Sequence, residues 1–160
     1  MKITWYGQAS FGIESSDGIK IVTDPYNPET AGFKPFSEPA DIVIKSSSND
    51  SFHDNDHLVP KKEGAKVIDA LPVALETGSV TSHEITFRAI EAMEDLDHPY
   101  HDPDQNAMYR FIVDGFDIGH MGDMGNKFSD EQIGFFGGVD ILLSHAGGKP
   151  VIPLEELNRI

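Results

Sequence analysis

The dipeptide Asp114-Gly115, set between Met108–Val113 and Phe116–His120, constrains the fold of this chain more than any other feature. A two-residue Asp-Gly turn takes positive φ at both positions, which suits the right-handed twist of paired strands. It predicts an antiparallel hairpin and therefore a sheet. The second strand runs out into Gly119-His120-Met121-Gly122-Asp123-Met124-Gly125-Asn126. The glycines let the backbone bend sharply, and the strand fixes the direction of the turn, so Asp123 is presented as a metal ligand would be. Hairpin geometry puts the loop before the first strand at the same end as the loop after the second. That earlier loop holds His98-Pro99-Tyr100-His101-Asp102. His101 and Asp123 can therefore converge, unless the His-rich loop is simply a solvated turn.

The rest of the chain is read mostly as short strands. Lys2–Tyr6, Ser10–Glu14 and Ile19–Thr23 are β-rich, and Asp17-Gly18 supplies a turn between the last two. Asp24-Pro25 stops the third strand, and prolines 25, 28, 35 and 39 mark a long surface loop. Asp41–Lys45 holds an apolar run suited to a buried strand. Lys66–Asp69, Val73–Glu76, Glu84–Ala92 and Ile141–Ser144 are further strand candidates. Ser129-Asp130-Glu131-Gln132 has capping-box spacing and predicts a helix to about Phe136, and Pro153-Leu154-Glu155-Glu156-Leu157 opens another. There is no repeat or interdomain linker, and 160 residues suit one domain, 1–160.

Composition narrows the chemistry. Without cysteine, disulfides and thiolate-bound zinc are excluded, so any metal must be held by His, Asp, Glu or water. The 27 acidic residues against 12 basic give a net charge of −15, which argues against nucleic acid or an anionic membrane as partner. No apolar run approaches a membrane span and the N-terminus reads directly into a strand, so a soluble cytoplasmic protein is expected.

Several other polar residues compete for a role. His120 either orients a ligand or packs, since strand alternation gives it a different backbone setting from Asp123. The stretch Ser46–His57 is rich in Asp, Ser and Asn, as a solvated loop would be, yet His53 and His57 lie four apart and His53 is a candidate ligand. His145 and Gly147-Gly148 end a strand and suit either the site's rim or a core role; His83 reads as surface.

The series Ile3-Thr4-Trp5-Tyr6-Gly7-Gln8-Ala9-Ser10-Phe11, Ile21-Val22-Thr23-Asp24-Pro25 and Asp41-Ile42-Val43-Ile44 resembles the opening of the metallo-β-lactamase fold. It is most similar to small metal-dependent hydrolases that include the ascorbate-6-phosphate lactonases. His101-Asp102, Asn106, the hairpin, His120-Met121-Gly122-Asp123-Met124-Gly125, Val139–Leu143 and Gly147-Gly148 come next in the matching order. The resemblance implies an α/β (α+β) architecture, an αββα sandwich of two mixed sheets flanked by helices. It implies His101 and Asp123 as metal ligands and catalytic residues, with Asp123 able to bridge two ions. The cofactor would be a divalent metal, zinc first, with manganese or iron as alternatives.

The chain also departs from that pattern. Where the family carries His-x-His-x-Asp-His, the best register gives Ser47, Asn49, Ser51 and Phe52, and Gln8 stands where the family has His. The family continues beyond the Gly-Gly segment to a last His ligand, so the C-terminal elements are expected to be missing here, leaving a sheet edge for a second copy to pair. Two readings remain. One is a divergent hydrolase of a small ester, lactone or phosphate compound, its metal held by His101, Asp123 and one or two of His53, His98 and His120. The other is a non-catalytic member serving in binding or assembly.

Overall fold

A computed structural model describes residues 1–48, 51–94, 105–144 and 152–160. Strands β1 (Lys2–Gly7), β2 (Ser10–Glu14), β3 (Lys20–Thr23), β4 (Ala40–Lys45) and β5 (Lys61–Asp69) form one sheet in that order. The first three pair antiparallel, and β3, β4 and β5 run parallel. The second sheet contains β6 (Ser79–Ser82), β7 (Ile85–Met93), β8 (Gln105–Val113), β9 (Phe116–His120) and β10 (Ile141–Leu143). Its order is β10-β9-β8-β7-β6, antiparallel except for the parallel β9–β10 pair. Both sheets are therefore mixed, as expected.

Period-two alternation decides how these sheets stack. Ile21, Ile42 and Ile44 point inward with Ile13, while Val22 and Val43 point to the opposite face of the same sheet. Across the sandwich, Phe87, Tyr109, Phe111 and Ile118 complete the inner core. The outer face of the second sheet buries Ala92 and Met108 beneath Phe136 of helix α3 (Asp130–Phe136), with Met121 and Met124. Helix α3 opens on the predicted capping box: Ser129 Oγ accepts from Gln132 N, and Gln132 Oε1 accepts from Ser129 N. The outer face of the first sheet is covered by Phe36 and Val59 rather than by a long helix.

The Asp114-Gly115 hairpin forms as predicted, with φ of 52° and 82° at its two residues. Val73–Glu76, expected as a strand, lies instead in helix α2 (Ala70–Glu76). The Asp69 side chain accepts from Leu71 N and starts that helix, and Pro72 falls in its first turn, where a missing N–H costs nothing. The loop 25–40 contains a short helix, α1 (Pro28–Ala31), capped by Asn27. The last helix, α4 (Leu154–Leu157), starts after Pro153 as expected but spans only four residues. Among the described residues no helix is long and apolar enough to cross a membrane.

Candidate functional site

The parallel run of β3 and β4 sends both strands toward the same edge, where β9 also ends. The loops leaving these strands are polar. After β4 come Ser46, Ser47 and the loop leading to His53; after β9 come Gly122 and Asp123. These loops meet. His53 Nε2 lies 2.7 Å from Asp123 Oδ2, and both side chains are largely buried. Asn106, at the start of β8, donates from Nδ2 to Asp123 O at 3.3 Å. Strand β8 thus begins, and β9 ends, beside one another, as the hairpin argument required.

His120 Nε2 donates to Ala9 O at 2.8 Å, and His120 Nδ1 accepts from Gly122 N at 2.9 Å. That pairing is the Nε2–H tautomer with both ring nitrogens engaged by the backbone. The imidazole stacks on Tyr109, centroids 4.7 Å apart and planes within 3°, and meets Phe11 edge-on. The His120 bond to Gly122 holds the turn from which Asp123 projects.

Behind this turn sits a buried carboxylate, at the position the sequence marks as a strand stop. Asp24 is fully buried and takes a φ of 37°. Aspartate tolerates the left-handed region better than most residues. Its Oδ1 accepts from Ser46 N at 2.6 Å, and its Oδ2 accepts from Tyr109 Oη at 3.0 Å, with His120 Nδ1 3.4 Å away. Burial, and then the adjacent Asp24 carboxylate, push the Tyr109 phenol well above its ordinary range. Asp24 thereby fixes the exit of β4 and links the two sheets at the site. The signal for it is the Thr23-Asp24-Pro25 strand ending.

A second anchor holds the His53 loop. The Lys45 ammonium pairs with Asp54, the residue after His53, and with Asp56 at 3.3 Å. Burial pulls the Lys45 pKa down, but hydrogen bonds to the two carboxylates more than offset this and leave it raised. The sequence places Lys45 at a strand end but gives no hint of its partners.

Gly122 packs where nothing larger fits. A Cβ there would lie 2.5 Å from Ala107 O, 2.9 Å from Ser46 Cβ and 3.0 Å from Asn106 Oδ1. Among the described residues, Ser46 Oγ and Asn106 Oδ1, both from residues at this contact, are buried without a hydrogen-bond partner.

His98, His101 and His145 lie outside the described residues. His57 lies in a 3-10 turn (Asp56–Leu58), and His83 is exposed in a turn with φ of 49°. Ser47 is buried, and Phe52 is half exposed beside His53. Among the described residues, no group of three or more His, Cys, Asp or Glu is arranged to hold a metal ion. His53 and Asp123 are suitable as far as they go, being one nitrogen and one oxygen donor already converged. Ligands at about 2.0–2.2 Å from a shared ion would stand slightly farther apart than this hydrogen bond. At least one further donor is needed for an ordinary site.

Comparison with known proteins agrees with this fold. The family model described as "Beta-lactamase superfamily domain" matches residues 2–160. No curated protein matches. Among solved structures, a candidate Zn-dependent hydrolase of the metallo-β-lactamase superfamily from Thermotoga maritima is similar, with 29% identity and a TM-score of 0.70. It covers 98% of this chain, and this chain spans 66% of its length. A candidate metal-dependent hydrolase from Parabacteroides distasonis shares the fold at 19% identity and a TM-score of 0.71, over 94% of this chain and 71% of its own. One from Veillonella parvula does so at 10% identity and a TM-score of 0.64, over 94% and 76%. Matched by the family model nearly end to end and built on the same pair of mixed sheets, the chain belongs to the metallo-β-lactamase superfamily.

Proposed function

We propose that the protein is a divergent metal-dependent hydrolase acting on a small ester, lactone or phosphate-containing compound. The observation that carries this reading is the convergence of His53 on Asp123, 2.7 Å apart at the loop edge of the sandwich. We assign the third donor to His101. The described residues on either side of stretch 95–104 both touch the loop of Asp123: Met93 O accepts from Gly125 N and Asn126 Nδ2, and Asn106 Nδ2 donates to Asp123 O. His98 is the reserve donor. A divalent metal, zinc before manganese or iron, would supply an activated water and polarise the scissile carbonyl or phosphoryl oxygen. Asp123 would hold and orient it, His53 and His101 would complete its shell, and His120 would fix the turn from behind.

The family resemblance and the similar hydrolase from Thermotoga maritima support the reaction class. The lactonase branch suggests a cyclic ester among the substrates. The net charge of −15 disfavours a highly anionic one. A cytoplasmic location and a homo-oligomer paired through a sheet edge complete the proposal.

A non-catalytic role is the second reading. It is favoured by Ser47 and Phe52 at positions where the family motif has ligands, and by the two-donor set among the described residues. Metal content separates the two. The protein is reconstituted with zinc, manganese or iron, and its metal is measured by mass spectrometry beside His53→Ala, His101→Ala and Asp123→Ala. Stoichiometric metal lost in all three variants is expected. No bound metal in the unsubstituted protein would overturn the hydrolase in favour of the second reading. A panel of lactones, esters and phosphate esters then defines the substrate.

A further inference from the structure

A separate concavity lies along β1, away from His53 and Asp123. Among the described residues, strand β1 is the edge of its sheet and has no neighbouring strand on its outer side. Helix α1 ends at Gly32, whose φ of 71° turns the chain back across that face. The returning segment brings Phe33 and Phe36 over Tyr26. The ring centroids of Tyr26 lie 5.4 Å from Phe33 and 4.7 Å from Phe36, and Tyr6 closes edge-on against Phe36 at 5.6 Å. Trp5 stands edge-on to Phe33 at 6.4 Å. The floor is fixed: Tyr26 is buried, and its hydroxyl donates to Lys34 O at 2.7 Å. The result is a preformed cavity of about 420 Å³ with aromatic walls.

Charge selects what such a cavity would take. Aromatic faces accept either a flat apolar ring or a cation. The chain carries a net charge of −15, yet Lys2 and Lys34 both line this cavity. Among the described residues the one acidic group in the lining is Glu38, and its carboxylate is engaged by Lys20. Positive charge is thus concentrated at an aromatic cavity of an otherwise strongly acidic molecule. A cation would meet two ammonium groups there; an anion attached to a ring would meet complementary ones.

We propose that the cavity bounded by Trp5, Tyr26, Phe33 and Phe36 is a binding site for a small aromatic carboxylate. The ring lies among the aromatic side chains, and the carboxylate faces Lys2 and Lys34. Nothing in this depends on the metal-site reading, since the two share no residue.

Trp5 is the single tryptophan and is exposed, so its emission reports directly on this site. The full chain is titrated with 3-phenylpropionate while Trp5 fluorescence is followed, and binding is confirmed by calorimetry. Saturable binding is expected, weakened by about tenfold in Phe33→Ala, in Lys34→Met and with the neutral amide of the same acid. Both substitutions are at exposed positions, and far-UV circular dichroism checks that each variant is folded. Equal affinity for acid and amide would overturn the proposal, as would tighter binding of a phenethyl trimethylammonium ion. Absence of saturable binding by both methods would also overturn it.

Discussion

Replacing Tyr109 by Phe removes one hydroxyl and leaves the ring that stacks on His120. The lost contact is a buried hydrogen bond of 3.0 Å to the Asp24 carboxylate. Hydrogen bonds to charged groups contribute about 1.5–3 kcal/mol, and the carboxylate oxygen left behind has no route to water. A destabilisation of about 2–3 kcal/mol results. For a chain of this size each kcal/mol moves Tm by about 2–4 °C, so a fall of about 4–12 °C is expected. Urea unfolding followed by far-UV circular dichroism measures it. Tyr26→Phe is the control: it also loses a hydroxyl, but one bonded to a neutral carbonyl at 2.7 Å, and should cost about 1 kcal/mol. Asp24→Asn keeps an oxygen for Ser46 N and tolerates the positive φ. Combined with Tyr109→Phe in a double-mutant cycle, it should show a coupling of about 1–2 kcal/mol. A Tyr109→Phe loss below about 0.5 kcal/mol would refute the claim that this bond fastens the sheets at the site.

Three further outcomes are expected. Because burial and Asp24 raise the Tyr109 pKa above its ordinary 10.0, the folded protein keeps a proton that the unfolded chain gives up. Its stabilising contribution is complete below that value and is lost as pH rises through the folded pKa. Urea titrations in alkaline buffers should therefore show a steeper decline for the natural protein than for Tyr109→Phe. Gly122→Ala forces a Cβ to within 2.5 Å of a backbone oxygen at a φ of 58°, and should cost about 2–4 kcal/mol and reduce metal retention. An unchanged melting curve would show that the turn can relax. Lys45→Met leaves Asp54 and Asp56 facing each other; the partly exposed pair limits the loss to about 1–2 kcal/mol, with weaker metal binding through His53. If metal retention is unaffected, Lys45 does not position that loop.

Where periodicity and turn chemistry agree, the sequence is a good guide to this fold. Ser10–Glu14 and Phe116–His120 are expected with the bounds they have, because alternation and an Asp-Gly turn act locally. The stretch Val73–Glu76 reads as a short strand, but the cap at Asp69 and packing against the core make it helical. Strand β6 is Ser-Val-Thr-Ser, too polar to stand out, and exists through its pairing with β7. At the site, Asp123 and His53 are visible as candidates by residue type and position. Asp24 and Lys45 are not, because their importance lies in partners 22 and 9 residues away that only the folded chain assembles.

The sandwich is fastened at both ends. At the hairpin end Asp114 accepts from Ser16 N and Ser16 Oγ, both at 2.8 Å, tying the β8–β9 turn to the β2–β3 turn. At the loop end Asp24 holds Tyr109, and Ala9 holds His120. Neither sheet can swing open like a cover while the other keeps its place. Amides in the middle of β3 and β8, although on different sheets, should then exchange with solvent only when the whole structure unfolds, and at one common free energy. Loops beyond those fastenings are released from this constraint, and a site built there can vary in length and composition without disturbing the frame that carries it.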